Sequence, residues 1–225
     1  MFTLYHGSTS KIEKPIFGFV KVHNDYGLGF YCTNELLLAK EWAVKSGNNG
    51  YVNEYTLNDS YLRILDLQDK KYCILHWIAI LLENRTVSLN TAIARLGRDF
   101  ILANYRTDYS SYDLIIGYRA DDSYFSYTKD FLNNAISIRQ LSLAMKLGNL
   151  GLQYVLKSNK AFELLKYEKA IPVPKTRYAN ESQNRDAKAK HQYFTRVCSE
   201  ILESDLFIRD IVKNKMSCND INSVS

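Results

Sequence analysis

Two short glycine-containing segments near the N-terminus constrain this chain more than any other part of its sequence. An apolar run ends in His6-Gly7-Ser8, and a second segment, Gly27-Leu28-Gly29, leads into Phe30 and Tyr31. Because glycine has no Cβ, the backbone at Gly7 can approach a ligand closely, and the later glycines allow a tight bend. Phe30 and Tyr31 point to opposite sides of the strand that follows, so one ring can cover a flat heteroaromatic base. Together the two segments indicate a binding pocket.

The order of these segments resembles the ADP-ribosyltransferase superfamily, in particular its His-Tyr-Glu branch, which includes the poly-ADP-ribose polymerases and diphtheria toxin. That branch has His-Gly-Ser at the end of its first strand, then Gly-x-Gly with an apolar residue and Tyr, then a helix with small and aromatic residues. Here the three parts are His6-Gly7-Ser8, the run from Gly27 to Cys32, and the run from Leu38 to Trp42. The resemblance covers about residues 2 to 170 and is greatest to small, toxin-like bacterial members.

The third motif of that branch is a strand with a glutamate, and here Gln153 stands in the glutamate's place. The best match is the run from Leu152 to Lys157, followed by a connection from Ala161 to Tyr167. In the family the glutamate bonds the ribose 2′-hydroxyl and stabilises a positively charged transition state. Glutamine can hold the hydroxyl but brings no charge, so either another acid contributes or the geometry suffices. The candidates for compensation are Asp121, Asp122 and Glu163.

The resemblance implies an enzyme that cleaves the nicotinamide–ribose bond of its co-substrate NAD and transfers ADP-ribose to an acceptor. Chain extension usually needs the glutamate, so transfer of a single unit is expected. His6 would bond a ribose hydroxyl, Gly7 would hold the carboxamide through its backbone with help from Ser8, and Tyr31 would stack on the nicotinamide. The implied catalytic residues are His6, Tyr31 and Gln153, and the implied cofactor-binding residues are His6, Gly7, Ser8, Gly29, Phe30 and Tyr31.

The acceptor is inferred from the charge and from the relatives. Members of the family modify proteins, DNA bases and RNA bases, and many small bacterial members are toxins restrained by an antitoxin protein or act in phage defence. The net charge of +5 is compatible with a polyanionic partner, although no long basic block is present. A nucleobase amine also tolerates a missing carboxylate better than an alcohol does. A nucleobase is therefore expected, RNA favoured over DNA, with a protein acceptor or an inactive NAD-fold binding module as alternatives.

Cationic and aromatic residues are expected around the pocket, where they would attract phosphates and stack an unpaired base. The cationic set is Lys11, Lys14, Lys21, Arg119 and Lys157, and the aromatic set is Tyr26, Phe30 and Tyr124.

Each site residue also has a simpler explanation. His6 is compatible with a strand-end histidine that bonds a backbone carbonyl, and Tyr31 with a core aromatic residue. Ser8 is compatible with capping a short helix at residues 10–12. Asp121 and Asp122 fit the first turn of a helix, where the helix dipole favours acids, better than a paired acid–base site.

The periodicity predicts an α+β fold, and the resemblance specifies a split mixed or antiparallel β-sheet core with inserted helices. Strands are predicted where short apolar or alternating runs occur, and helices where apolar residues recur at helical spacing behind a cap such as Ser137. The predicted strands are 2–5, 29–33, 52–57, 62–65, 114–117 and 152–156. The predicted helices are 34–45, 72–82, 90–104, 122–133 and 137–147.

The chain is expected to divide into a transferase-like domain at residues 1–171 and a C-terminal helical extension at residues 172–225. Two prolines in Pro172-Val173-Pro174 are expected to stiffen a linker between them. The extension then becomes amphipathic and is expected to act as a regulatory or partner-binding appendage. Its apolar stripe consists of Phe194, Val197, Ile201, Leu202, Phe207, Ile208 and Val212.

Cysteine and histidine spacing predicts no metal site. The four cysteines have no paired spacing, and His23, His76 and His191 have no partners at ligand spacing. The longest apolar stretch, residues 74–82, is too short to span a bilayer. A soluble, cytoplasmic protein without disulfides is therefore expected.

Overall fold

One mixed β-sheet organises the chain. The computed structural model describes residues 1–18, 24–119, 122–147 and 151–223. Its strands are β1 (Phe2–Ser8), β2 (Phe30–Thr33), β3 (Gly50–Leu57), β4 (Ile64–Asp66), β5 (Leu114–Tyr118), β6 (Leu152–Leu156) and β7 (Leu165–Val173). They lie in the order β4-β5-β6-β2-β1-β3-β7. Neighbouring strands are antiparallel except β4 and β5, which are parallel. The expected α+β class and mixed sheet are confirmed.

The sheet has a weak seam between β1 and β2. These strands share a single register pair, Tyr5 with Thr33. On its other side β1 pairs with β3 along its whole length, from Phe2 opposite Leu57 to Ser8 opposite Tyr51. The sheet therefore consists of two well-paired halves, β4-β5-β6-β2 and β1-β3-β7, which meet at this seam.

The helices are α1 (Leu36–Val44), α2 (Ile74–Asn84), α3 (Ala92–Asn104), α4 (Asp122–Leu132), α5 (Ile138–Ala144), α6 (Asn159–Glu163), α7 (Lys175–Tyr178), α8 (Glu181–Gln192), α9 (Ile208–Asn214) and α10 (Cys218–Asn222). A π-helical turn, Tyr193–Val197, continues α8. The predicted cap of α5 is confirmed, because the Ser137 hydroxyl accepts from the Gln140 amide and the Gln140 side chain accepts from the Ser137 amide. No helix of the described segments is long and apolar enough to cross a membrane.

Side chains alternate along β6 and so contribute to two different clusters. Val155 packs with residues of α2 to α5, including the fully buried Trp77. Tyr154 and Leu156 pack with Leu4 of β1 on the opposite side. This alternation places Gln153 on the same face as Val155.

The predicted linker is part of the sheet. Pro172 and Val173 belong to β7, where they pair with Tyr51 and Gly50 of β3. β7 is an edge strand, and an edge strand tolerates a proline because one side of its backbone needs no partner. The first residues of β7 were predicted to lie in a connection and are strand instead. Pro172-Val173-Pro174 is therefore not a free linker, and the strand runs past the expected boundary at residue 171.

The C-terminal helices pack into the main core. Tyr193, Val197 and Ile208 are buried in the cluster that holds α2 to α5. Asp205, which precedes α9, accepts hydrogen bonds from Arg139 Nε (2.8 Å) and from the Ser137 hydroxyl (2.8 Å). The bonds from Arg139 lower the pKa of Asp205 to about 2. Part of the predicted stripe remains exposed, namely Phe194, Ile201 and Leu202.

Candidate functional site

A cleft of about 280 Å³ lies at the seam of the sheet. Its volume is near the lower end of ligand pockets, which span about 300–1,000 Å³. His6 from β1, Tyr31 from β2 and Gln153 from β6 all contribute to it. The complete lining is His6, Asn24, Phe30, Tyr31, Trp42, Arg119 and Gln153. The structure thus brings together the three residues that the resemblance assigns to catalysis.

His6 is held as a neutral imidazole with one nitrogen available. Its Nδ1 lies 2.7 Å from the carbonyl oxygen of Tyr31. A carbonyl only accepts, so Nδ1 carries the proton and Nε2 of the neutral ring is an acceptor. Burial lowers the pKa of His6 below its usual value. The ring also stacks on Phe30, with centroids 4.5 Å apart. The simpler explanation of His6 and the functional one are therefore compatible, because each uses a different nitrogen.

Tyr31 is fixed by both hydrogen-bonding functions of its hydroxyl. The hydroxyl donates to the carbonyl of Gly27 (2.6 Å) and accepts from the amide of Tyr26 (3.1 Å). Gly27 itself has φ +69°, the left-handed conformation that favours glycine. The tight bend predicted from the glycines thus exists, and it orients the Tyr31 ring that lines the cleft.

Gln153 and Trp42, which line the cleft, each have a buried side-chain atom without a hydrogen-bond partner among the described residues. Gln153 is 6% exposed, and its Oε1 has no hydrogen-bond partner among the described residues. The Nε1 of Trp42 on α1 is likewise buried without one. A buried polar group without a partner destabilises a protein by about 1–3 kcal/mol, so such groups need an explanation. The two residues that line this cleft therefore leave one acceptor and one donor unpaired.

Lys157 holds the glycine bend that precedes β2 and does not line the cleft. Its ammonium donates to the carbonyl oxygens of Tyr26 (2.6 Å) and Leu28 (2.5 Å), and burial lowers its pKa to about 8. Tyr26 is fully buried and donates to the carbonyl of Tyr118. The expectations that Lys157 contacts phosphates and that Tyr26 stacks a base are therefore not met, because both side chains are used inside the fold.

Three residues expected to bind the co-substrate do not line the cleft. A Cβ at Gly7 would lie 2.1 Å from the carbonyl oxygen of Ala39, so this glycine makes room for α1. A Cβ at Gly29 would lie 2.6 Å from Val155, so that glycine makes room for β6. The Ser8 hydroxyl donates to the carbonyl of Ser10 and accepts from Asn53, and no helix begins there.

The acids considered as replacements for the glutamate are not found in the cleft. Glu163 is exposed at the end of α6 and is absent from the lining. Asp121 lies outside the described residues, as does the side chain of Asp122 at the start of α4. No carboxylate of the described part of the chain therefore lines the cleft.

Of the expected rim, Arg119 and Phe30 line the cleft. Lys11 lies over the Tyr51 ring at 5.6 Å, and neither it nor Lys14 contributes to the lining. Lys21 and the side chain of Tyr124 lie outside the described residues.

Arg119 also connects the cleft to a second one. Its guanidinium lies 4.5 Å from the centre of the Trp42 ring. The second cleft, of about 470 Å³, is formed by α1, α7 and α8 and includes Arg119, Lys45 and Lys175. The C-terminal region therefore helps to form the surroundings of the site. Asn24 also lines the cleft, although no pattern in the sequence distinguishes it from other asparagines.

A larger groove of about 800 Å³ lies elsewhere, and its charged side chains have partners within it. Its side chains satisfy one another, since Arg106 pairs with Glu83 (2.6 Å) and Asp108 accepts from Ser110. The cleft at the seam is therefore the candidate functional site.

Comparison with known proteins gives one result. A family model described as "Protein of unknown function (DUF3990)" matches residues 2–167, a span that contains every residue lining the cleft. No curated protein and no solved structure matches the chain. The chain therefore belongs to the DUF3990 family.

Proposed function

We propose that the chain is an NAD-dependent mono-ADP-ribosyltransferase of the His-Tyr-Glu type in which Gln153 replaces the glutamate. The observation that carries the proposal is the cleft at the seam. Three strands bring His6, Tyr31 and Gln153 to it, and Gln153 Oε1 is buried there without a partner among the described residues.

The polar atoms and ring faces of the cleft match the nicotinamide riboside half of NAD. Tyr31 offers a ring to stack on nicotinamide, which contributes about 0.5–1.5 kcal/mol beyond burial. Trp42 Nε1 is a donor for a carbonyl oxygen, and Gln153 Oε1 is an acceptor for a hydroxyl. A ligand that forms hydrogen bonds with both atoms removes the free-energy cost of leaving them buried and unpaired.

In the proposed reaction the bond between nicotinamide and the ribose carbon breaks, and nicotinamide leaves with the electron pair. His6 Nε2 and Gln153 Oε1 accept hydrogen bonds from hydroxyls of the ribose and so fix the position of the ribose. The amide dipole of Gln153 directs its negative end toward the positive ribosyl centre, but with less field than a carboxylate. The acceptor then forms a bond to the ribose carbon and loses a proton. Arg119, which also lines the cleft, would bind the diphosphate.

We propose a nucleobase of RNA, with DNA as second choice, as the acceptor, in a toxin–antitoxin or phage-defence system of the cytoplasm. The net charge of +5 supports a polyanionic acceptor, and an exocyclic amine suits a site without a carboxylate. Unpaired strands are the expected substrate because a duplex must first be opened.

Incubation with labelled NAD tests both parts. Single-stranded RNA should become labelled, and the rate should fall as salt rises. His6→Ala should abolish labelling, whereas His191→Ala, a histidine exposed on α8, should not. Label found on lysate proteins, with none on added nucleic acid at low salt, would replace the nucleobase by a protein acceptor. Absence of transfer to any acceptor would contradict the enzyme assignment.

A second candidate is an inactive module that binds NAD or a related nucleotide. The uncharged Gln153, with no carboxylate in the described lining, favours it. Calorimetric binding of NAD without release of nicotinamide would select this alternative.

A further inference from the structure

A cluster of metal-ligating side chains lies away from the cleft, where α10 meets the start of α2. One ligand atom each from Cys73, His76 and Cys218 lie within 4.8 Å of one another. The expectation that His76 has no neighbours at ligand spacing is therefore wrong. Cys73 lies one helical turn before His76. Cys218, the first residue of α10 near the C-terminus, folds back beside these two residues.

We propose that Cys73, His76 and Cys218 bind a Zn²⁺ ion that fastens α10 to the start of α2. The distance from Cys73 Sγ to His76 Nδ1 is 3.5 Å. In tetrahedral zinc sites, with Zn–S of about 2.3 Å and Zn–N of about 2.0–2.1 Å, a sulfur and a nitrogen ligand lie about 3.6 Å apart. The two side chains are thus already separated as zinc requires.

The donor set specifies the kind of metal. Two cysteine sulfurs and one imidazole are soft or borderline ligands, which favour zinc over magnesium or calcium. Three protein ligands leave a fourth position. A cavity of about 160 Å³ that includes Cys73, Tyr72 and Asn222 adjoins the cluster and has room for a water ligand there.

The cluster is held in place by its surroundings. The His76 ring meets the edges of Tyr72 and Tyr105, with centroids 5.2 and 5.4 Å away. Its Nδ1 lies 3.1 Å from the Cys73 amide nitrogen and 3.3 Å from the Cys73 carbonyl oxygen, and a bound Zn²⁺ would replace the Cys73 amide at the single lone pair of this nitrogen. Cys73 is buried, which restricts its side chain.

The proposed ion would join parts of the chain that are far apart in sequence. At present α10 is held to the loop before α2 by Asn222, which donates to the carbonyls of Lys70 (3.0 Å) and Tyr72 (3.2 Å). A metal bridge from Cys73 to Cys218 closes a long loop, and its binding free energy adds to the stability of the folded chain.

The test uses the full chain, purified under reducing conditions without chelator. We expect about one zinc per chain by elemental analysis. After removal of the metal, titration with Co²⁺ should give thiolate charge-transfer absorption and tetrahedral d–d bands. Cys218→Ser should weaken Zn²⁺ affinity at least about 100-fold and remove the rise in melting temperature on adding Zn²⁺. Cys198→Ser, a cysteine outside the cluster, is the matched control.

Cys218→Ser is the primary variant because Cys218 is only partly buried, whereas loss of the buried Cys73 can impair folding by itself. Equal Co²⁺ spectra and equal Zn²⁺ affinities for the unaltered chain and Cys218→Ser would overturn the proposal, since they would show adventitious binding. A disulfide between Cys73 and Cys218 that persists in the reduced preparation would also overturn it.

Discussion

Single residues in and beside the cleft divide into those whose polar groups are paired within the fold and those whose polar groups are not. The Tyr31 hydroxyl and the Lys157 ammonium both form hydrogen bonds to the backbone of the bend. Gln153 Oε1 and Trp42 Nε1 have no partners among the described residues. The first group fixes the bend beside the cleft, and the second group has polar atoms that the fold leaves unpaired.

Replacing Tyr31 by alanine should weaken NAD binding roughly threefold to tenfold, because a stacked ring contributes about 0.5–1.5 kcal/mol. Tyr31→Phe is the control. It keeps the ring but loses the bonds to Gly27 and Tyr26, so it should keep most of the affinity and lose about 1 kcal/mol of stability. Titration calorimetry and urea unfolding measure the two effects. Unchanged affinity in Tyr31→Ala would contradict the assignment of the pocket.

Gln153→Glu should raise the rate of nicotinamide release about tenfold or more, since a carboxylate needs to contribute only about 1.4 kcal/mol to the transition state to do so. The same change should lower the melting temperature, because the new charge is buried at a position that is 6% exposed. Single-turnover kinetics and calorimetry are the measurements. A slower reaction in a folded Gln153→Glu protein would show that the site does not use the charge.

The His6 imidazole should make stability depend on pH. Burial lowers its pKa in the folded chain, so protons bind the unfolded chain more tightly. Its contribution is present above the unfolded pKa of about 6.5 and is lost as the pH falls below it. The bond from His6 Nδ1 to the Tyr31 carbonyl acts in the opposite direction, but burial is the larger effect. Urea unfolding between about pH 7.5 and about pH 5.5 should show a smaller loss for His6→Asn, which cannot titrate. An equal loss would contradict this explanation.

At the scale of elements, the glycine of the first motif has a packing role. Helix α1 crosses β1 so closely that a Cβ at Gly7 would lie 2.1 Å from the Ala39 carbonyl oxygen. A ligand and a helix that come close to the backbone both require a glycine. The sequence alone therefore does not show which of the two lies beside Gly7.

Gly7→Ala should therefore destabilise the protein by about 1–3 kcal/mol, because α1 or β1 must shift. Thr3→Ala, at an exposed position of the same strand, should change stability by less than about 1 kcal/mol. The free energy of unfolding in urea decides between these values. An equal decrease in the free energy of unfolding for the two variants would show that α1 can shift away from the added methyl group without strain.

Elements with strong local patterns were predictable, and those that depend on distant partners were not. β2, β6 and the cap of α5 follow from glycine placement, alternation and the Ser137 signal. β7 was missed because its exposed edge carries charges such as Lys166, Glu168 and Lys169, which interrupt an apolar pattern. Charged residues are the usual protection of an edge strand against pairing with another chain.

For the whole molecule, the C-terminal region is part of one core. Ion pairs fasten it at two places, Arg185 to Glu41 of α1 and Asp205 to Arg139 of α5. The proline pair suggested a linker because prolines are common in linkers, and the sequence alone could not show that β3 pairs with it. The same long-range folding brings Cys218 beside Cys73.

A chain truncated after Lys175 should therefore fail to fold stably. It would expose the core surface that Tyr193, Val197 and Ile208 now cover. Size-exclusion chromatography and thermal unfolding should show aggregation or a lost transition, while the full chain unfolds in one step. A second chain that ends after Ser217 loses α10 and the residues after it, including the buried Ile221, and should lose less stability because the rest of the C-terminal region remains. A stable, monomeric chain ending at Lys175 would restore the view of the region as an appendage.

The seam between β1 and β2 has a mechanical consequence. Each half of the sheet keeps its own ladder of backbone bonds. The halves are joined by one register pair, by the bond between His6 Nδ1 and the Tyr31 carbonyl, and by the packing of Leu4 with residues of β6. Rotation of one half against the other would widen the mouth of the cleft while both ladders stay intact. A molecule that contacts His6 on one half and Gln153 on the other would act as a latch across this hinge, so binding and closure would be a single event.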